Sequence, residues 1–120
     1  MAITGIQLRS SKWRALTYTV AGSAVTAGAM TKLNDTVGVY FESKSVGEDV
    51  AFVYEAEKIL LPKAAGSGLS IAQGAKVYFD NSAKTITPTS GGNTLCGRCV
   101  VAADADDTTV LVDFNGACAA

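Results

Sequence analysis

Gly74-Ala75-Lys76-Val77-Tyr78-Phe79-Asp80, then Asn81-Ser82-Ala83 and the return run Lys84-Thr85-Ile86-Thr87, is the stretch that decides the fold. Two β-rich runs separated by turn residues read as a hairpin. Side chains alternate across a strand, so Val77 and Phe79 share one face and Lys76, Tyr78 and Asp80 the other. One face is apolar and one mostly wet, as expected of a strand half-buried against a core.

Downstream, Pro88-Thr89-Ser90-Gly91-Gly92-Asn93 is a turn cluster leading to a strand around residues 95–102. Asp104-Ala105-Asp106-Asp107 supplies the next turn, and residues 108–114 a β-branched strand with Val110, Val112 and Phe114 aligned. Upstream, Lys58-Ile59-Leu60-Leu61 is a short apolar run stopped by Pro62, which cannot donate a ladder hydrogen bond. Residues 36–42 align Val37, Val39 and Phe41, and residues 49–54 align Val50, Phe52 and Tyr54. Both read as strands, joined by residues 43–48. From Arg14, Leu16, Tyr18 and Val20 alternate with Ala15, Thr17 and Thr19, the period of a half-buried strand. Residues 21–29 are small and glycine-bracketed and read as loop, and Leu69-Ser70-Ile71-Ala72-Gln73 as a single helical turn or an extended link plugging the core. Short strands with turn signals between them predict an all-β single domain, a small barrel or sandwich with short or no helices. No internal repeat is visible.

A chain of 120 residues is long enough to bury roughly two-thirds of the surface that it exposes unfolded. Hydrophobic residues are 48% and charged residues 18%, an ordinary globular balance. The net charge of -1 gives no overall field for nucleic acid or an anionic membrane. The start has no basic region followed by an apolar run, and no stretch approaches the ~20 apolar residues of a membrane helix, so the chain reads as soluble and unexported. Three cysteines, two of them in Cys96-Gly97-Arg98-Cys99, read as reduced thiols rather than a disulfide framework.

Chemistry-bearing motifs are sparse. A redox CxxC needs its first thiol at a helix N-terminus, whereas Cys96 and Cys99 stand in a strand context, where residues three apart point to opposite faces unless the strand is distorted. Zinc would need four ligands, and three cysteines without histidine leave a Cys-only site one short. Residues 68–76 resemble a phosphate loop, but five residues separate the glycines and Ala75 follows the second. Asp104, Asp106 and Asp107 lack the glycine and closing glutamate of a calcium loop and read as a solvated turn. Without histidine the commonest general base is missing. No catalytic, metal or cofactor-binding residue is assigned, and no cofactor is expected. Arg9, Lys12, Trp13 and Arg14 interleave charge with the only tryptophan; they read as an aromatic core residue flanked by solvated charges, as a nucleic-acid patch, for which one cluster on a net-acidic chain is weak evidence, or as a protein-docking surface, the functional reading preferred here.

Gly47-Glu48-Asp49-Val50, Leu60-Leu61-Pro62-Lys63-Ala64, Ile71-Ala72-Gln73-Gly74, Val77-Tyr78-Phe79-Asp80, Gly91-Gly92-Asn93-Thr94 and Asp107-Thr108-Thr109-Val110 follow one another in an order that resembles a family of tailed-phage capsid decoration, or head-cementing, proteins. The likeness runs from Gly47 to Gly116, and the first 46 residues are only loosely similar. Cys96 departs from it, standing where relatives place a small apolar residue. The resemblance implies a small β-barrel or β-tulip-like fold, made in the host cytoplasm, that trimerises on the outer face of the virion head. There it would bridge major capsid subunits and reinforce the shell without catalysis, nucleic acid or membrane. A recombinase label carried by some relatives finds no support in these residues. On this reading residues 1–12 are the capsid-facing arm, 13–116 the decoration domain and 117–120 a loose tail, with Arg9, Lys12, Trp13 and Arg14 as the capsid-binding residues. The alternative is a head fibre or spike domain displaying a host-binding surface; a small redox enzyme using Cys96 and Cys99 is the third class.

Overall fold

In the computed structural model the described residues are 7–8 and 13–116, and among them every regular element is a strand. The strands are β1 (Gln7–Leu8), β2 (Trp13–Thr19), β3 (Met30–Leu33), β4 (Thr36–Tyr40), β5 (Asp49–Pro62), β6 (Lys76–Asp80), β7 (Thr85–Thr87), β8 (Thr94–Cys99) and β9 (Thr109–Asn115). Seven of them form one antiparallel sheet in the order β3-β4-β5-β9-β8-β6-β7, and β1 and β2 pair with β5. The sheet curls into a nearly closed barrel. Lys63 and Ile86 bridge in parallel just past the end of β5, where the Ala64 N–H donates to the Ile86 carbonyl at 3.0 Å. The all-β barrel expected from the sequence is the observed fold.

The deciding hairpin forms as read. Tyr78 pairs with Thr87 and Asp80 with Thr85, while Val77, Phe79 and Ile86 are fully buried. Asp80 Oδ1 accepts from the Ser82 and Ala83 amides and so closes the turn. Two expectations change. Residues 49–54 and 58–61 are one 14-residue strand, because nothing in Glu55-Ala56-Glu57 breaks it and buried Ala56 carries the core across the gap. A bulge between Ala56 and Ile59 absorbs the change of register. The second change is β3, which sequence alternation does not reveal and which pairs with β4 through the turn at Asn34, φ 53°.

The chain also contains a structural repeat. β2, the β3–β4 hairpin and the first half of β5 form one unit; the second half of β5, β6, β8 and β9 form another. Thr31 pairs with Gly38 as Val77 pairs with Gly97, and Tyr40 with Phe52 as Cys99 with Val112. Leu16 faces Phe52 as Ile59 faces Val112. The loops repeat as well. Val25 and Lys44 exchange backbone bonds as Ile71 and Ala103 do, and the Gly28 amide donates to Tyr40 as the Gly74 amide does to Cys99. Even the acidic turn recurs: the Ser45 amide donates to Glu48 Oε1 and the Asp104 amide to Asp107 Oδ2. β7 with its turn is an insertion in the second unit. The expectation of no repeat is therefore wrong, because backbone bonding carries the repeat and few side chains share it.

Each unit has a core. In the first, Val20, Tyr40, Val50 and Phe52 cluster under Val25, Leu33 and Tyr18. In the second, Leu61, Ile71, Phe79, Val110 and Val112 join a larger cluster that includes Met30, Val37, Val39 and Val53 from the other face of the first unit's sheet. β4 is consequently buried on both faces. Gly38 is required there, since a Cβ would collide with the Phe52 ring.

Candidate functional site

β2 carries the surface singled out by the sequence. Trp13 and Arg14 begin the strand, while Arg9 and Lys12 lie outside the described residues. Trp13 is 41% exposed and stacks on Phe41, with ring centroids 5.5 Å apart and planes 14° from parallel. It is a surface aromatic held in place by another, not a core residue. Arg14 lies on the opposite face, where its Nε stands 3.9 Å from Glu55 Oε1 across the strand pair. Both partners are well exposed, so solvent screens the attraction and Arg14 remains available. The structure therefore does not gather Trp13 and Arg14 on one face. Leu16, 46% exposed, adds an apolar contact on the Arg14 side.

The cysteines do not match their expected orientation. The register of β6 against β8 shifts at Cys96-Gly97, so an extra residue on β8 puts Cys96 and Cys99 on the same side, both in the core. Gly97 makes this possible: its φ is 155°, and a Cβ would meet the Asp113 carbonyl and stand 3.0 Å from Val112. The thiols are free. Cys96 points at the Val77 carbonyl at 3.8 Å, and Cys99 donates to the Val101 carbonyl at 3.0 Å. Burial pushes the Cys96 thiol up to about 12 and raises Cys99 as well, the bond to Val101 acting in the opposite sense. Thiols held protonated are poor nucleophiles and poor metal ligands.

The remaining motifs resolve into architecture. Residues 69–73 are an extended link, fixed by the Ile71–Ala103 bridge with Ile71 buried, so no helix follows the loop that resembled a phosphate cradle. In the acidic turn the Asp107 carboxylate accepts from the Asp104 amide. No group of metal-ligating side chains occurs among the described residues. Beneath that turn lies a group sequence reasoning missed. Lys63, buried, donates from Nζ to the carbonyls of Ala64 at 2.8 Å, Asp107 at 3.2 Å and Ala105 at 3.3 Å. Its three protons meet three carbonyls. Val20 occupies the equivalent position in the first unit, its amide bonded to Glu48 as that of Lys63 is to Thr108. The sequence does not show that Lys63 is buried and bonded in this way, because two of the three carbonyls it meets come from a turn some forty residues away.

A β-barrel with protonated core thiols, a self-satisfied acidic turn and an exposed aromatic and cationic edge has the make-up of a structural, surface-binding domain. The family model of the phage cement proteins matches residues 10–114, from just before β2 to the last residue but one of β9. The chain belongs to the phage cement protein family, which is structural and non-enzymatic and acts at the virion capsid. No curated protein matches the chain.

Proposed function

We propose that this protein binds the outer surface of the phage head as a homotrimer, contacting the major capsid protein, bridging its neighbouring subunits and stabilising the shell. The observation that carries the proposal is the cement-family match, which spans both structural units. The capsid contact is made by the N-terminal segment, with Arg9, Lys12, Trp13 and Arg14 as its anchors. Exposed Trp13 and weakly paired Arg14 support that assignment, since aromatic and guanidinium groups dominate protein-binding hot spots.

The test adds purified protein to undecorated cognate heads. Binding should saturate in multiples of three copies per site, and decorated heads should survive heating that breaks bare ones. Absence of binding, or binding without a gain in heat resistance, would overturn the proposal.

A further inference from the structure

The two units serve as controls for one another, and they differ in how each is closed. β7 closes the second: Thr85, Ile86 and Thr87 pair with Asp80, Phe79 and Tyr78 of β6, and on its other side the Ile86 carbonyl accepts from the Ala64 amide. The first unit has no counterpart of β7. Among the described strands β3 pairs only with β4 and β2 only with β5, so a slot lies open where that counterpart would run. The side chains record the gap. Leu16, Tyr18 and Leu33 correspond to Ile59, Leu61 and Phe79. The second three are fully buried, whereas Leu16 is 46% exposed and Tyr18 and Leu33 are half-buried.

The backbone is open there as well. The Val20 amide donates to the Glu48 carbonyl and the Val20 carbonyl accepts from the Gly47 amide, so by alternation β2 turns the N–H and C=O of Thr19 and Thr17 away from β5. The Ala21 amide, the counterpart of the Ala64 amide that holds β7, is exposed and has no backbone partner among the described residues. An unpaired edge beside a half-covered apolar strip is the arrangement that takes up a strand from another chain. The second unit shows what fits: a short extended segment with one β-branched apolar residue turned inward, antiparallel to β3 and parallel to the end of β2, as Ile86 is to Phe79 and to Lys63. A second copy of this chain has no such segment to lend among its described strands without breaking its own sheet, because each of them is already paired. Arg14, the capsid anchor of the functional reading, stands on the Leu16 side of β2.

We infer that the first unit takes up an extended strand of the major capsid protein between β3 and β2, with a β-branched side chain of that strand covering Leu16, Tyr18 and Leu33 as Ile86 covers their counterparts. The inference rests on the capsid-binding reading and says how the contact is made: the shell supplies the strand that the first unit lacks.

The experiment uses the full chain and undecorated cognate heads. A photocrosslinking side chain replaces the exposed Leu16, and amide hydrogen exchange of the parent chain is followed with and without heads. Illumination of decorated heads should join position 16 to the major capsid protein. The amides of residues 17–21 should exchange more slowly on the head by about tenfold or more, while the Ala64 amide, already bonded to Ile86, should be unchanged. Leu16→Glu, an exposed substitution that leaves the fold intact, should weaken head binding by about tenfold. Heads that bind the parent but leave residues 17–21 unprotected would overturn the inference and keep the capsid reading. A crosslink to another copy of this chain would also overturn it and assign the slot to a second molecule. Failure of the parent to bind heads at all would overturn both.

Discussion

The two units share a backbone plan and distribute their side chains in opposite ways. The outer face of the first, with Met30, Val39 and Val53, is buried against the rest of the barrel; the equivalent Lys76, Arg98 and Asp113 of the second are exposed. Inside, Tyr40 and Phe52 fill the space that Cys99 and Val112 fill in the other unit, and Val20 gives way to Lys63. The paired glycines show how little of this is shared: Gly38 yields to the Phe52 ring, whereas Gly97 yields to the Asp113 carbonyl and the Val112 methyl. Backbone hydrogen bonding can thus be kept while the core is rebuilt, provided each large side chain is matched by a small one opposite.

The strongest way to break the comparison is to empty each core in turn. Phe52→Ala and Phe79→Ala each remove a fully buried ring and should cost about 3–5 kcal/mol. If the units fold as one body, both variants will shift the denaturant midpoint in a single transition. A second transition in Phe52→Ala alone would mean that the first unit unfolds by itself.

Lys63 is the next largest effect. Lys63→Val installs the residue found at the equivalent position of the first unit, yet it should destabilise by about 2–3 kcal/mol, because three carbonyls aimed at one ammonium lose their donor. Chemical denaturation measures the loss, and the amides of residues 104–108 should exchange faster. A neutral result would show that water replaces the ammonium at no cost.

The thiols give a smaller effect with a defined sign. Cys96 ionises near 9 when unfolded and near 12 when folded, so the unfolded state is the first to lose its proton. Its contribution to stability is complete below about pH 9 and is lost as pH rises toward about 12, at up to ~1.4 kcal/mol per pH unit. Stability measured from pH 8 to 10.5 should fall less steeply in Cys96→Ala than in the parent protein. Parallel slopes would mean that Cys96 is not held protonated.

How much of this was legible follows from how local each signal is. The β6–β7 hairpin was readable because Val77 and Phe79 alternate with polar neighbours and Asp80-Asn81-Ser82 marks the turn. β3 was not, because Lys32 interrupts a four-residue run, and its partner Thr94, to which its ammonium donates at 3.3 Å, lies far along the chain. The shared orientation of Cys96 and Cys99 depends on a bulge set by the register of a neighbouring strand. The repeat was hidden because what recurs is the bonding of loops, with the β7 insertion breaking the spacing. At the candidate site, the chemistry of Trp13 and Arg14 was legible and their divergence to opposite faces followed from strand alternation once Trp13 was known to begin β2.

Arg14 tests the smallest effect and the sharpest functional contrast. Its contact with Glu55 is long and both groups are wet, so Arg14→Gln should change stability by no more than about 0.5 kcal/mol. Trp13 is different. Losing its stack on Phe41 should cost somewhat more, because one aromatic partner leaves the other uncovered. If the N-terminal edge anchors the protein to the head, Arg14→Gln will weaken head binding severalfold despite folding normally, and raised salt will weaken the parent toward the level of the variant. Unchanged binding by a normally folded Arg14→Gln would move the capsid contact away from this face of β2. Trp13 on the opposite face would then be the residue to test.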